Sequence, residues 1–111
     1  MSAEVADVLE RAADYIDEHG WCQERYTTDG VKCCAAGAIN MVTTGDPGIT
    51  RVNEYHIARY VALETLGDVI EENDGWGSVS EWNDHPGRTQ AEVVAKLREV
   101  AAAERAKAAK P

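Results

Sequence analysis

Val5, Val8, Leu9, Ala12 and Ile16 recur at intervals of three and four along the start of the chain, while Glu4, Asp7, Glu10, Arg11, Asp14, Asp17 and Glu18 fall mostly on other faces. This spacing predicts a helix over 3–18 with Ser2 as its N-cap. Gly20 fits the left-handed position past the helix end and turns Trp21 back against Ile16. From Gln23 to Lys32 the pattern lapses around an Asp29-Gly30 pair, which predicts a loop with a tight turn and room for a small hairpin near 23–32. Val31 to Thr43 then holds no helix breaker except Gly37, and Gly45-Asp46-Pro47-Gly48 stops it. We read a short helix whose small flank of Ala35, Gly37 and Ala38 lets a neighbouring helix approach closely. Such contact compensates the cost of about 1 kcal/mol that an interior glycine carries relative to alanine.

A third helix, capped by Thr50 or Asn53, carries Tyr55, Ile57, Ala58, Tyr60, Val61, Ala62, Leu63 and Leu66 up to Gly67. Asp68 to Asn73 adds a further turn or two with Val69 and Ile70 inward, and Asp74-Gly75-Trp76-Gly77 is a loop. Two capping boxes follow: Ser78-Val79-Ser80-Glu81 starts a short helix holding Trp82, and Thr89-Gln90-Ala91-Glu92 starts the last helix, through Val93, Val94, Leu97, Val100 and Ala101. Past Ala103 the apolar stripe gives way to Ala and Lys, which predicts a single helical domain over 1–104 and a frayed or disordered tail over 105–111. The fold class is all-α: a compact orthogonal bundle of four main helices plus one or two short ones. Its expected core is Val8, Leu9, Ile16, Trp21, Cys34, Ile39, Ile57, Val61, Leu66, Trp82, Val93 and Leu97.

A chain of 111 residues suits one domain with one core. Its 20 acidic and 11 basic side chains give a net charge of -9, which argues against direct nucleic-acid or membrane-surface binding and for a basic partner. From Glu64 to Asp84 seven acidic residues occur with no Lys or Arg, the most one-sided stretch of the chain. Glu4, Asp7 and Glu10 stand where a signal peptide needs an apolar run, and no stretch approaches the ~20 apolar residues of a membrane span, so the expected location is cytoplasmic. Three cysteines, two of them adjacent, do not form a disulfide framework and are expected to be reduced.

Three blocks carry a resemblance: His19-Gly20-Trp21-Cys22-Gln23, Cys34-Ala35-Ala36-Gly37-Ala38, and Trp82-Asn83-Asp84-His85-Pro86-Gly87-Arg88-Thr89-Gln90-Ala91-Glu92-Val93. They resemble the signature blocks of a small helical family of actinobacteria and their phages that has no assigned function. The resemblance spans about Val8 to Leu97. It implies an intracellular bacterial or phage-encoded accessory protein and transfers no catalytic residue. That family often has another residue where Cys22 and Cys33 stand, which implies no essential role for those two thiols.

Zinc accepts Cys and His, so His19, Cys22, Cys33 and Cys34 are a conceivable metal set. Adjacent helical residues point about 100° apart, so Cys33 and Cys34 could share an ion only if the helix starts after them. A thiol nucleophile is the other chemistry to weigh. Cys34 near a helix N-terminus would have a lowered pKa, with His19 or His85 as base and Asp84 or Asn83 orienting it. No phosphate-binding glycine loop is present. Asn83, Asp84 and Arg88 either hold the turn between the two capped helices by side-chain to backbone hydrogen bonds or form a recognition site. The expected function is a non-catalytic acidic protein-interaction module without cofactor or metal, directed at a host protein that is basic or DNA-binding. Its partner-binding residues would be Glu71, Glu72, Asp74, Asn83, Asp84 and Arg88. The alternatives are a small metal-binding or cysteine-dependent enzyme using His19, Cys34 and Asp84, and a DNA-mimic inhibitor of a DNA-binding protein.

Overall fold

The computed structural model describes residues 2–50 and 56–110. Among them the chain is all-α, with five helices: α1 (Ser2–His19), α2 (Ala35–Thr44), α3 (Ile57–Asp74), α4 (Val79–Asp84) and α5 (Gln90–Ala108). The central element is α1, which packs most extensively along α5 and then against α2 and α3. Val5, Val8, Leu9, Ala12 and Ile16 all face the interior, as their spacing requires. Facing them are Ala35, Ala38 and Ile39 of α2, Ala62, Leu66 and Ile70 of α3, Trp82 of α4, and Val93, Leu97, Val100 and Ala101 of α5.

The helix ends follow local chemistry. Gly20 takes φ 106° just past α1, and its N–H donates to the Ile16 carbonyl at 2.8 Å. The N-cap of α2 is a cysteine, the Cys34 sulfur accepting from the Gly37 N–H at 3.2 Å. Ser78 caps α4 by accepting from the Glu81 N–H, and α5 opens on a full capping box in which Thr89 and Glu92 each serve the other's backbone N–H. α5 continues past the end of its apolar stripe to Ala108, where Arg105 still reaches Asp7 and Glu10 of α1.

Several expectations are corrected. No hairpin forms at 23–32; only isolated bridges join Cys33 to Trp21 and to Thr27. The amides a ladder would need are taken locally: Asp29 Oδ1 accepts from Val31 and Lys32, and Thr27 Oγ1 from Gly30. Gly37 does admit a close neighbour, but that neighbour is the 20–34 loop rather than a helix. A Cβ there would be driven into the Tyr26 carbonyl oxygen. The further turn or two expected over Asp68 to Asn73 is present, and it joins the third helix through Gly67 without a break. Leu66 and Ile70 are both fully buried one turn apart and carry it on to Gly75, which caps it in the left-handed conformation at φ 75°. The residue flanking its start is His56 rather than Thr50, while Asn53 and Tyr55 lie outside the described residues. Ile57 is not core but 52 % exposed, and Trp21 and Val61 are partly buried. The interior instead includes two polar residues of a separate clasp: Arg59 of α3 donates to Asn40 Oδ1 at 2.7 Å, and both side chains hold the Ile49 carbonyl.

Candidate functional site

The three sequence blocks meet around one side chain. Asn83, at the end of α4, is fully buried. Its Oδ1 accepts from Trp21 Nε1 at 2.8 Å and from the Ala35 N–H at 3.0 Å, while its Nδ2 donates to the Cys22 carbonyl at 3.1 Å. Gln23 Nε2 returns the link by donating to the Asn83 and His85 carbonyls. Gln90 Nε2 donates to the Ile16 carbonyl at the end of α1. Asp84 Oδ1 accepts from the Glu24 N–H at 2.7 Å and from Asn83 Nδ2. Glu24 is the only non-glycine residue with positive φ among the described residues, at 70°. Such a backbone costs about 1 kcal/mol, and a hydrogen bond to a charged acceptor, worth about 1.5–3 kcal/mol, offsets it. Arg88 is equally committed: Nε donates to the Trp82 carbonyl at 2.8 Å, the guanidinium lies 4.3 Å from the Trp82 ring, and it pairs with Glu92 at 3.3 Å.

These bonds place the sequence-derived candidates. Asn83 is sealed inside and cannot touch a partner. Arg88 is held between an aromatic ring and a carboxylate. Only part of Asp84 reaches solvent, in a hollow of about 250 Å³ lined by Glu24, Arg25, Tyr26, Cys34, Ser80 and itself. Cys34 and Asp84 therefore share a cavity wall, but neither candidate histidine lines it. His19 lies against Tyr15 with ring centroids 4.5 Å apart, and His85 against Trp76 at 4.8 Å. Burial pushes the Cys34 thiol up to about 11, outweighing the hydrogen bond from the Gly37 N–H, and burial does the same to Cys33. A thiol so shifted is a weak nucleophile near neutral pH. Since α2 starts after Cys34, helical geometry no longer separates Cys33 from Cys34. Even so, among the described residues no group of three or more His, Cys, Asp or Glu side chains is placed to hold a metal ion.

Charge is distributed unevenly between the helices. The acidic face of α1 is answered by α5: Asp7 and Glu10 pair with Arg105, and Asp14 and Asp17 with Arg98 at 2.8 and 3.7 Å. On α3, Asp74 alone is answered, by Lys96 at 3.2 Å. Burial draws the Lys96 ammonium down, but hydrogen bonds to Glu99 and Asp74 prevail and hold it above its ordinary value. Glu64, Asp68, Glu71 and Glu72 are exposed and have no ion-pair partner among the described residues. Glu71 and Glu72 were legible in the sequence as part of an acidic run. Glu64 and Asp68 belong to the same run in the sequence, and the continuity of α3 through Gly67 puts all four on one helix.

The fold and this charge map define a small all-α domain, braced internally by its own sequence signature and presenting one unneutralised acidic helix face. Among the described residues no helix is long and apolar enough to cross a membrane. The chain belongs to the family of unknown function DUF6197, whose model matches residues 1–103. Comparison with curated proteins and with solved structures gave no match.

Proposed function

We propose that this domain is a non-catalytic interaction module that binds a basic partner protein through the outer face of α3. One observation carries the reading: Asp7, Glu10, Asp14 and Asp17 of α1 are paired with arginines of α5, whereas Glu64, Asp68, Glu71 and Glu72 of α3 are left to solvent. Complementary charge of this kind steers association and selects partners more than it sets raw affinity. The last turn of α3 contains no basic residue, so its acidic side chains add to the negative end of the helix dipole and strengthen the field there. The finer picture, a phage-encoded or actinobacterial accessory protein acting in the cytoplasm on a host protein, rests on the resemblance of the three blocks.

The enzyme reading draws on Cys34 and Asp84 sharing a hollow, and it is weakened by the raised thiol pKa and by both histidines lying against other rings rather than lining that hollow. The DNA-mimic reading requires carboxylates spaced like phosphates along one side, and α3 offers a single short row. The test compares two pairs of substitutions that change net charge equally: Glu64→Gln with Glu71→Gln on α3, and Glu4→Gln with Glu18→Gln on α1. Protein immobilised and exposed to actinobacterial lysate retains its partner at low salt and releases it at high salt. The α3 pair abolishes retention and the α1 pair leaves it. Equal effects of the two pairs would remove α3 from the function.

A further inference from the structure

The exposed face of α3 is not uniformly acidic. At about 100° per residue, Ile57, Tyr60, Glu64, Asp68 and Glu71 fall within an arc of about 80°, directly opposite the buried Ala62, Leu66 and Ile70. Ile57 and Tyr60 are 52 % and 49 % exposed, two of the few large apolar side chains left to solvent. The stripe is thus apolar over its first turn and anionic over the next three, with a length of about 21 Å.

Resting on the reading of α3 as the binding face, we infer that this stripe seats one amphipathic cationic helix of the partner, with an apolar anchor over Ile57 and Tyr60 and basic residues over Glu64, Asp68 and Glu71. The dimensions suit that occupant. About 14 residues of helix match the stripe, and helix docking is read through side chains at three-and-four spacing, the spacing shown here. A disordered polycation would need the carboxylates but would gain nothing from two apolar side chains aligned with them. A second copy of this chain fits in neither direction. Packed parallel, two stripes set carboxylate against carboxylate. Packed antiparallel, they bury Glu71 against the apolar end of the other copy without a counter-ion.

Two lysine-rich peptides of identical composition, roughly 16 residues long, separate the possibilities. One places leucines on one helical face at one end and lysines along the remainder; the other scrambles the order. The expected result is that the patterned peptide binds at least about tenfold more tightly. It should shift backbone amide resonances between 57 and 72, and become helical on binding. Ile57→Ser with Tyr60→Ser should reduce its affinity about tenfold while leaving the salt dependence intact. Glu64→Gln with Glu71→Gln should weaken both peptides and flatten the salt dependence. Both pairs lie on the solvent side, and thermal melting confirms that the variants are folded. Equal affinity for the two peptides, with the α3 charge pair still effective, overturns the helix-docking inference and leaves the acidic face in place. An α3 charge pair no more effective than Glu4→Gln with Glu18→Gln sinks the underlying reading as well. Resonance shifts centred on α1 and α5 do the same.

Discussion

The side-chain amide of Asn83 reaches across 48 to 62 residues of chain, to the Trp21 indole, the Cys22 carbonyl and the Ala35 amide. The bonds to the Ala35 amide and the Cys22 carbonyl are buried and that to the Trp21 indole is partly so, and removing the Asn83 amide leaves a buried donor and a buried acceptor unsatisfied. An unsatisfied buried polar group costs about 1–3 kcal/mol. The Asn83→Ala variant is expected to lose about 2–4 kcal/mol of unfolding free energy in a urea titration, a large fraction of the margin of a small domain. Ser80→Ala, at the exposed rim of the neighbouring hollow, is expected to change it by less than about 0.5 kcal/mol. The tryptophan in the first block and the asparagine in the third were visible in the sequence, but their pairing was not. A sequence pattern states which residues are polar and says nothing about which polar group each will meet across a tertiary contact. Asn83 therefore read as an open choice between brace and recognition site, and burial decides for the brace.

At the scale of the element, two helical glycines that look alike in sequence have opposite consequences. Gly37 lies in the first turn of α2, where a methyl group would be driven into the backbone of the Tyr26 loop. Backbone cannot swing aside as a side chain does, so Gly37→Ala is expected to destabilise by about 2 kcal/mol or more despite alanine's better helix propensity. Gly67 lies inside α3, and an added methyl would sit 3.7 Å from Val79 Cγ2, an ordinary contact. Gly67→Ala is expected to raise stability by about 0.5–1 kcal/mol, seen as a melting temperature several degrees higher. The sign difference between the two is the check. The periodicity of α1 and α5 and both serine and threonine caps were legible because each signal is local. The continuity of α3 was legible only in part: Asp68 to Asn73 read as a further turn or two with Ile70 inward, but glycine after an apolar residue is an ordinary stop signal, and the burial of Ile70 shows that it is ignored here. The exposure of Ile57 escaped for the same reason, because a broad apolar run does not show which edge of it faces out.

For the whole molecule, the neutral thiols give stability a pH dependence on the alkaline side. Cys33 and Cys34 titrate near 11 when folded, against an ordinary value of 9.0. A folded-state pKa raised in this way means that the native protein holds protons the unfolded chain releases, so this contribution is complete below about pH 9 and is lost as pH rises through about 11. Unfolding free energy is therefore expected to fall across that window. Cys34→Ser, which keeps a side-chain acceptor at the N-cap of α2, should fall less steeply by chemical denaturation at successive pH values. An unchanged slope would mean that Cys34 contributes nothing to it.

The partnership of α1 with α5 also bears on how the protein is made. The first helix leaves the ribosome without the helix it packs on most, and its end stays unsecured until Asn83 and Gln90 have been synthesised. Contacts between opposite ends of a chain are slow to form because the intervening loop must close first. Complete burial of α1 therefore awaits translation of α5, and a nascent chain stalled between α3 and α4 would leave the part of α1 that packs on α5 uncovered, a ready substrate for chaperones.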